Sequence, residues 1–290
     1  MLMLAPVHWE IRGGRSLGPA PFLIFGILNV TPDSFHDGGQ YANTDAALAH
    51  AAVLAGEGAH VLDVGGESTR PFAEPVPPEE ELERVIPVVR GLNGLRCGNG
   101  MPWAVSVDTY KARTAAAALD AGADIINDVS ACAFDPQLLD VLGQYRPGYV
   151  LMHSKGRPED MQKAPEYEDV VEEILDFFEK KLKELTSAGM PEARILLDPG
   201  IGFGKTLEHN LAILRSMDRF AQLGLPLMAA VSNKSMFGAL CDAPPGQRQN
   251  ATQAATAILA SRGVFAHRVH DVALTVQTLR VAEALAPRVA

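Results

Sequence analysis

A rhythm constrains this chain more than any single residue. From about residue 22 a short, β-prone apolar run is followed by a stretch of helical length, and the unit recurs eight times without a break. The runs lie at 22–28, 60–64, 103–107, 124–126, 149–152, 194–197, 227–231 and 265–269. Amphipathic or Ala-rich stretches such as 45–57, 79–89, 112–121, 167–188 and 207–214 stand between them. Alternation of this kind implies a parallel sheet, because a parallel neighbour is reached only through a crossover. No Pro/Ser-rich linker divides the series, and 290 residues suit eight closing units. The expected fold class is α/β, a single (β/α)8 TIM barrel over 21–290. An open, doubly wound sheet usually needs fewer units and a Gly-rich dinucleotide turn after its first strand, which is lacking here.

The first twenty residues form an extension. Val7-His8-Trp9-Glu10-Ile11-Arg12 alternates and then meets Gly13-Gly14, which predicts a short hairpin. His8, Glu10 and Arg12 stand where a signal peptide needs an apolar core, and no run approaches the ~20 apolar residues of a membrane span. The expectation is a soluble, cytoplasmic protein without a membrane partner. A net charge of −10 argues against a nucleic-acid partner, which needs a basic face. The three cysteines, Cys97, Cys132 and Cys241, form no CxxC pair and are expected to be core thiols in a reducing compartment.

In such a barrel the active site lies at the C-terminal ends of the strands. Those ends are polar throughout: Asn29; Asp63; Asp108; Asn127 and Asp128; Met152 and His153; Asp198; Ser232 and Lys234; Arg268 and His270. One such residue is commonly a helix cap, but eight strands ending this way at one mouth are costly to bury unless they pair with each other or with a ligand. Asp108, Asn127 and Asp198 suit a flat heterocycle with ring N–H and amino donors, and Lys234 answers a ring carbonyl or nitrogen. Arg268 and His270 supply donors for an anion, where barrels of this class often hold phosphate. Two long connections, 30–43 and 65–78, read as lids over this mouth.

Several segments then carry a resemblance in order along the chain. They are Asn29-Val30-Thr31-Pro32-Asp33-Ser34-Phe35, Asp63-Val64-Gly65-Gly66-Glu67-Ser68-Thr69-Arg70-Pro71, Ser106-Val107-Asp108-Thr109-Tyr110-Lys111, Ile126-Asn127-Asp128, Leu151-Met152-His153, Asp198-Pro199-Gly200-Ile201-Gly202-Phe203-Gly204-Lys205 and Arg268-Val269-His270-Asp271-Val272. Together they resemble the dihydropteroate synthases, which join a dihydropterin diphosphate to p-aminobenzoate. The resemblance implies that Asp108, Asn127, Asp198 and Lys234 hold the pterin beside Met152 and Phe203, with Asp63 also in the substrate-binding set. It implies that Asn29, Arg268 and His270 take the diphosphate and its Mg2+, with Asn29 as the metal ligand. Thr69, Arg70, Pro71, Phe35 and Ser235 then shape the p-aminobenzoate side. The catalytic set is Asn29, Asp33, Phe35, Lys234, Arg268 and His270, and a homodimer is implied as well.

Two departures stand out: Ser232-Asn233-Lys234-Ser235 where the family usually shows Ser-Arg-Lys-Ser, and Ser154-Lys155-Gly156 after Met-His. A rival of the same superfamily, a corrinoid-linked methyltransferase domain, would share the pterin pocket but need neither lid nor the Arg-Val-His group. A lapsed, pterin-binding paralogue is the non-enzymatic alternative. Gly200 to Thr206 mimics a P-loop one residue short, in the wrong context. His267 and His270 fall on opposite faces of a strand end and make no zinc pair. The acidic run at 79–83 reads as the solvated first turn of a helix.

Overall fold

The computed structural model describes residues 7–31, 40–69, 73–99, 103–163 and 165–286. The hairpin is present: β1 (Val7–Glu10) pairs antiparallel with β2 (Ser16–Ala20). Eight parallel strands follow, β3 (Leu23–Asn29), β4 (Val61–Gly65), β5 (Ala104–Asp108), β6 (Ile125–Asp128), β7 (Gly148–Met152), β8 (Ile195–Asp198), β9 (Met228–Ala229) and β10 (Ala266–Val269). They run in the order β8-β7-β6-β5-β4-β3-β10-β9, and a parallel bridge from Leu197 to Leu227 joins the two edges into a barrel. Among the described residues no helix is long and apolar enough to cross a membrane.

Helices α1 (Gln40–Glu57), α2 (Pro78–Asn99), α3 (Ala112–Asp120), α4 (Leu138–Tyr145), α5 (Val170–Ser187), α6 (Leu207–Arg215), α7 (Met217–Ala221), α8 (Met236–Cys241), α9 (Gln249–Ser261) and α10 (Val272–Leu285) clothe the barrel. The first helix takes in 40–43, which the sequence reading left to a long connection. The second runs ten residues beyond the expected 79–89, passing Pro87. Asp169 caps α5 by accepting from the backbone of Val171 and Glu172, satisfying donors that the helix start leaves unpaired.

Strand alternation sorts the core into two layers. Ile24, Leu28, Leu62, Val64, Val105, Val107, Ile126 and Leu151 face outward and pack with the helices. Leu23, Phe25, Val61, Ala104, Ile125, Val150, Leu196, Met228 and Ala266 form a second cluster with Trp9, Ile11 and Leu17 of the hairpin. The extension therefore plugs the N-terminal end of the barrel. Gly148 makes room for it, since a Cβ there would lie 2.9 Å from Ile11 and 3.2 Å from Trp9. Arg15 pins the plug by donating to Asp124 at 2.7 Å. With the bottom sealed by apolar side chains, the polar strand ends are left together at the opposite mouth.

Candidate active site

A cleft of about 840 Å³ opens at that mouth, lined by Asn29, Thr69, Asp108, Phe203, Ser232, Lys234, Ser235, Arg268 and His270. Beneath it lie Asp63, Asn127, Met152 and Asp198, all buried. Asp33, Phe35, Arg70 and Pro71 lie outside the described residues.

Arg268 is the keystone. Its Nε donates to Asp63 Oδ2 at 2.6 Å and its Nη2 to Asp108 Oδ2 at 2.7 Å, while Asn127 Nδ2 donates to the same Asp63 oxygen at 3.1 Å. Burial disfavours the guanidinium charge, yet Asp63 and Asp108 hold its pKa above the ordinary value. Burial likewise pushes the Asp108 carboxyl up, against the pull of Arg268. Each carboxylate keeps one buried oxygen, Oδ1, with no hydrogen-bond partner among the described residues. Leaving such acceptors unmet is costly, so the floor is built for a ligand that brings donors.

Lys234 forms the opposite wall. Its Nζ lies 4.3 Å from the Phe203 ring centroid, and its stem rests 3.4 Å from where a Gly202 Cβ would stand. Burial lowers its pKa to about 8, even though Asp198 opposes the shift. Asp198 accepts from Gly200 N–H at 2.8 Å, and burial raises its pKa against that bond and the nearby lysines. Phe203, Met152, Tyr110, Val129 and Met161 make an apolar wall for a flat ring. At the other end of the cleft His270 Nδ1 sits 3.0 Å from Ser232 Oγ, and Asn29 Oδ1 lies over Gly65.

Some strand-end residues turn away. Asp128 accepts from Ser130, Cys132 and Tyr149 and braces a turn in which Ala131 and Cys132 have positive φ. His153 packs edge-on to Phe177 and faces Lys205 Nζ at 3.0 Å. Lys205 also donates to the carbonyls of His153 and Phe203, so this lysine is turned into the protein and the P-loop likeness fails. His267 is buried away from the cleft, whereas His270 lines it. Cys132 is a core thiol, but Cys241 is exposed because the short α8 presents it to solvent.

Met161, Tyr110, Glu67 and Arg248 escaped the sequence reading. Tyr110 and Glu67 stood inside quoted motifs, so their place was visible and their role was not. Met161 comes from the irregular stretch between β7 and α5, where no periodicity marks it. Arg248 lines the cleft next to Asn233, donating to the Asn233 carbonyl at 3.3 Å. Asn233 itself is left-handed, φ 57°, a conformation asparagine tolerates better than most residues.

The family described as "Pterin binding enzyme" matches residues 25–270, a span that takes in every described strand end of this mouth. This chain belongs to that family, among the dihydropteroate synthases. The Synechocystis dihydropteroate synthase is 40% identical over 263 residues, covering 90% of this chain and 89% of its own. The solved Yersinia pestis dihydropteroate synthase, in complex with a sulfonamide drug, superposes with a TM-score of 0.88 at 40% identity, over 96% of this chain and 98% of that one. A Xanthomonas albilineans dihydropteroate synthase with 4-aminobenzoic acid gives 0.87 at 43% identity, over 97% and 98%. The barrel, with its plug, is thus a dihydropteroate synthase fold along almost its whole length.

Proposed function

We propose that this synthase condenses 6-hydroxymethyl-7,8-dihydropterin diphosphate with p-aminobenzoate to give 7,8-dihydropteroate and diphosphate. The observation that carries the reading is the floor of the cleft, where Asp63 and Asp108 hold unmet acceptor oxygens beside an apolar wall that ends at Lys234. A pterin supplies ring N–H and amino donors to such acceptors and a flat face to Met152 and Phe203. Asn127 and Asp198 complete its polar edge, and Lys234 donates to its carbonyl or ring nitrogen. The X. albilineans enzyme is described with 4-aminobenzoic acid and, in another structure, with 7,8-dihydropteroate, which supports the same substrate pair here.

In the reaction the carbon–oxygen bond to diphosphate breaks with its electrons going to the leaving oxygen, the aniline nitrogen bonds to the exocyclic methylene, and the proton it then sheds passes to the released diphosphate or to water. Arg268 and His270 stabilise that developing charge, where preorganised donors count most. Only two of the five Arg268 N–H donors are held by the carboxylates, which leaves the others for the anion. Thr69 and Ser235 shape the aniline side, with Arg70, Pro71, Asp33 and Phe35 assigned by resemblance alone. The aniline needs orientation more than a base, since it is nucleophilic near neutral pH.

For Mg2+, the described residues include no group of three His, Cys, Asp or Glu able to hold an ion. The donor set fits an ion that arrives on the diphosphate and takes one protein oxygen, from Asn29, in keeping with the preference of Mg2+ for phosphate and water oxygens. Such an ion would neutralise charge on the leaving group. Exposed Leu274, Val281 and Leu285 on α10 with Ile258 on α9 support the homodimer that the resemblance implies. The free thiols Cys132 and Cys241 suit a reducing cytoplasm.

The deciding experiment supplies the purified protein with Mg2+, the pterin diphosphate and p-aminobenzoate, with Arg268→Ala as the control. The expected result is dihydropteroate formation that falls by roughly 1,000-fold in the variant. Pterin binding without product would move the chain to the lapsed-paralogue reading.

A further inference from the structure

The acidic start of α2 is not wholly solvated. Glu79 is exposed and Glu80 pairs with Arg84, but Glu81 is 1% exposed. Its carboxylate accepts from Lys111 Nζ at 2.9 Å and from Thr114 Oγ1 at 3.0 Å. The same lysine donates to Glu67 Oε2 at 2.5 Å. Glu67 lines the cleft two residues before Thr69, and its second oxygen accepts from the Tyr110 hydroxyl at 2.9 Å. Glu67 Oε2 also takes the Val76 N–H at 3.0 Å, which ties the far end of the β4–α2 loop back to its beginning. Every member of the cluster is fixed by a partner on another element.

Tyr110 joins this cluster to the pterin side. It follows Asp108 by two residues, and its ring belongs to the apolar wall with Met152 and Phe203. Burial, with Glu67 nearby, raises its pKa, so the hydroxyl remains a donor at any ordinary pH. Lys111 begins α3 on the same turn. One short segment, 108–111, thus offers a carboxylate to the floor, a ring to the wall and two donors to the loop that carries Thr69.

We infer that Glu67, Tyr110, Lys111 and Glu81 form a buried clamp that fixes the described ends of the β4–α2 connection, 66–69 and 73–77, making Glu67 and Tyr110 positioning residues for Thr69 on the p-aminobenzoate side of the cleft. The inference rests on the synthase reading given above. Both oxygens of Glu67 are engaged, Oε1 by Tyr110 and Oε2 by Lys111 and the Val76 N–H. These three bonds run to other parts of the protein, so the effect assigned to Glu67 is transmitted through loop geometry. With 67 and 76 held by one carboxylate, Thr69 is placed from a fixed base, and misplacement by about 1 Å is enough to cost as much as ~100-fold in rate.

Steady-state kinetics with each substrate varied in turn tests the clamp in Glu67→Gln, Tyr110→Phe and the conservative Glu67→Asp. Glu67→Gln loses one anionic acceptor and is expected to raise the KM for p-aminobenzoate about 10-fold, with a smaller rise in Tyr110→Phe. The KM for the pterin diphosphate should stay within about two-fold of wild type, and Glu67→Asp should recover part of the loss. If Glu67→Gln does not fold, Tyr110→Phe decides, since it deletes only a hydroxyl. Folded variants with an unchanged p-aminobenzoate KM, or with both KM values raised in parallel, overturn the clamp. A wild-type protein that makes no dihydropteroate instead overturns the synthase reading, and the clamp's proposed role falls with it.

Discussion

The two ends of the barrel are built by the same strands and have opposite characters. At the N-terminal end Val61, Ala104, Ile125, Leu196 and Ala266 close on Trp9, and the layer is apolar and sealed. Toward the C-terminal end the same strands bring Asp63, Asp108, Asn127, Asp198 and Arg268 to one mouth. The sealed layer is closed by apolar packing and leaves no carboxylate unmet, its one unpaired side-chain polar atom among the described residues being the weak donor Trp9 Nε1, whereas the open end leaves carboxylate oxygens of Asp63 and Asp108 unmet. The barrel thus concentrates apolar packing at one end and unmet carboxylate acceptors at the other.

That division is open to direct attack. The largest effect belongs to Trp9→Ala, which should cost the fold ~3–5 kcal/mol, because a fully buried indole is removed from the plug. Denaturant titration measures it, and the KM values of the folded fraction should not move. Altered KM values would mean that the two ends are coupled. At the open end Asp198→Asn should invert the pattern, weakening pterin binding by roughly 100-fold with little change in unfolding midpoint. Near-normal affinity by calorimetric titration would remove Asp198 from the pocket.

A subtler separation comes from pH. Lys234 loses its proton as pH climbs through about 8, because burial depresses its pKa. Pterin affinity should therefore decline above that point, and the decline should vanish in Lys234→Met. The unfolded chain holds the same proton more tightly, so this lysine's own contribution to stability rises over the window from about 8 toward the ordinary lysine value. Affinity and stability should move in opposite directions there, and a parallel fall would show a different group at work. The smallest effect is expected at Asn233, whose left-handed backbone should make Asn233→Ala cost ~1 kcal/mol in thermal unfolding and Asn233→Gly almost nothing.

The eight strand runs were legible in order and, apart from 227–231, of which only Met228–Ala229 forms a strand, nearly in extent, because a strand buried on both faces must be a short apolar run. The polar residues that end them were legible for the same reason: Asp63, Asp108, Asn127 and Asp198 interrupt apolar runs, where burial is costly without a partner or a ligand. Asp128 and His153 share that signature, yet one braces a turn and the other backs onto Lys205. Adjacent strand residues point to opposite faces, so a one-residue difference in register decides which of the pair sees the cleft. α4, α7, α8 and α10 were not anticipated, since α7 and α8 are shorter than two full turns and the others lie between stronger signals.

By itself, the sequence determined the barrel, its polar mouth and the family, since hydrophobic period and residue order are local properties that survive in one dimension. Partnership was decided only by the tertiary structure. Arg268 lies 205 positions from Asp63 and 160 from Asp108, and Lys111 lies 44 from Glu67. No spacing rule reaches across such intervals. The closing of the strands into a ring brought Arg268 onto two carboxylates, and the packing of α2 against the start of α3 turned an apparently solvated glutamate into a buried ion pair.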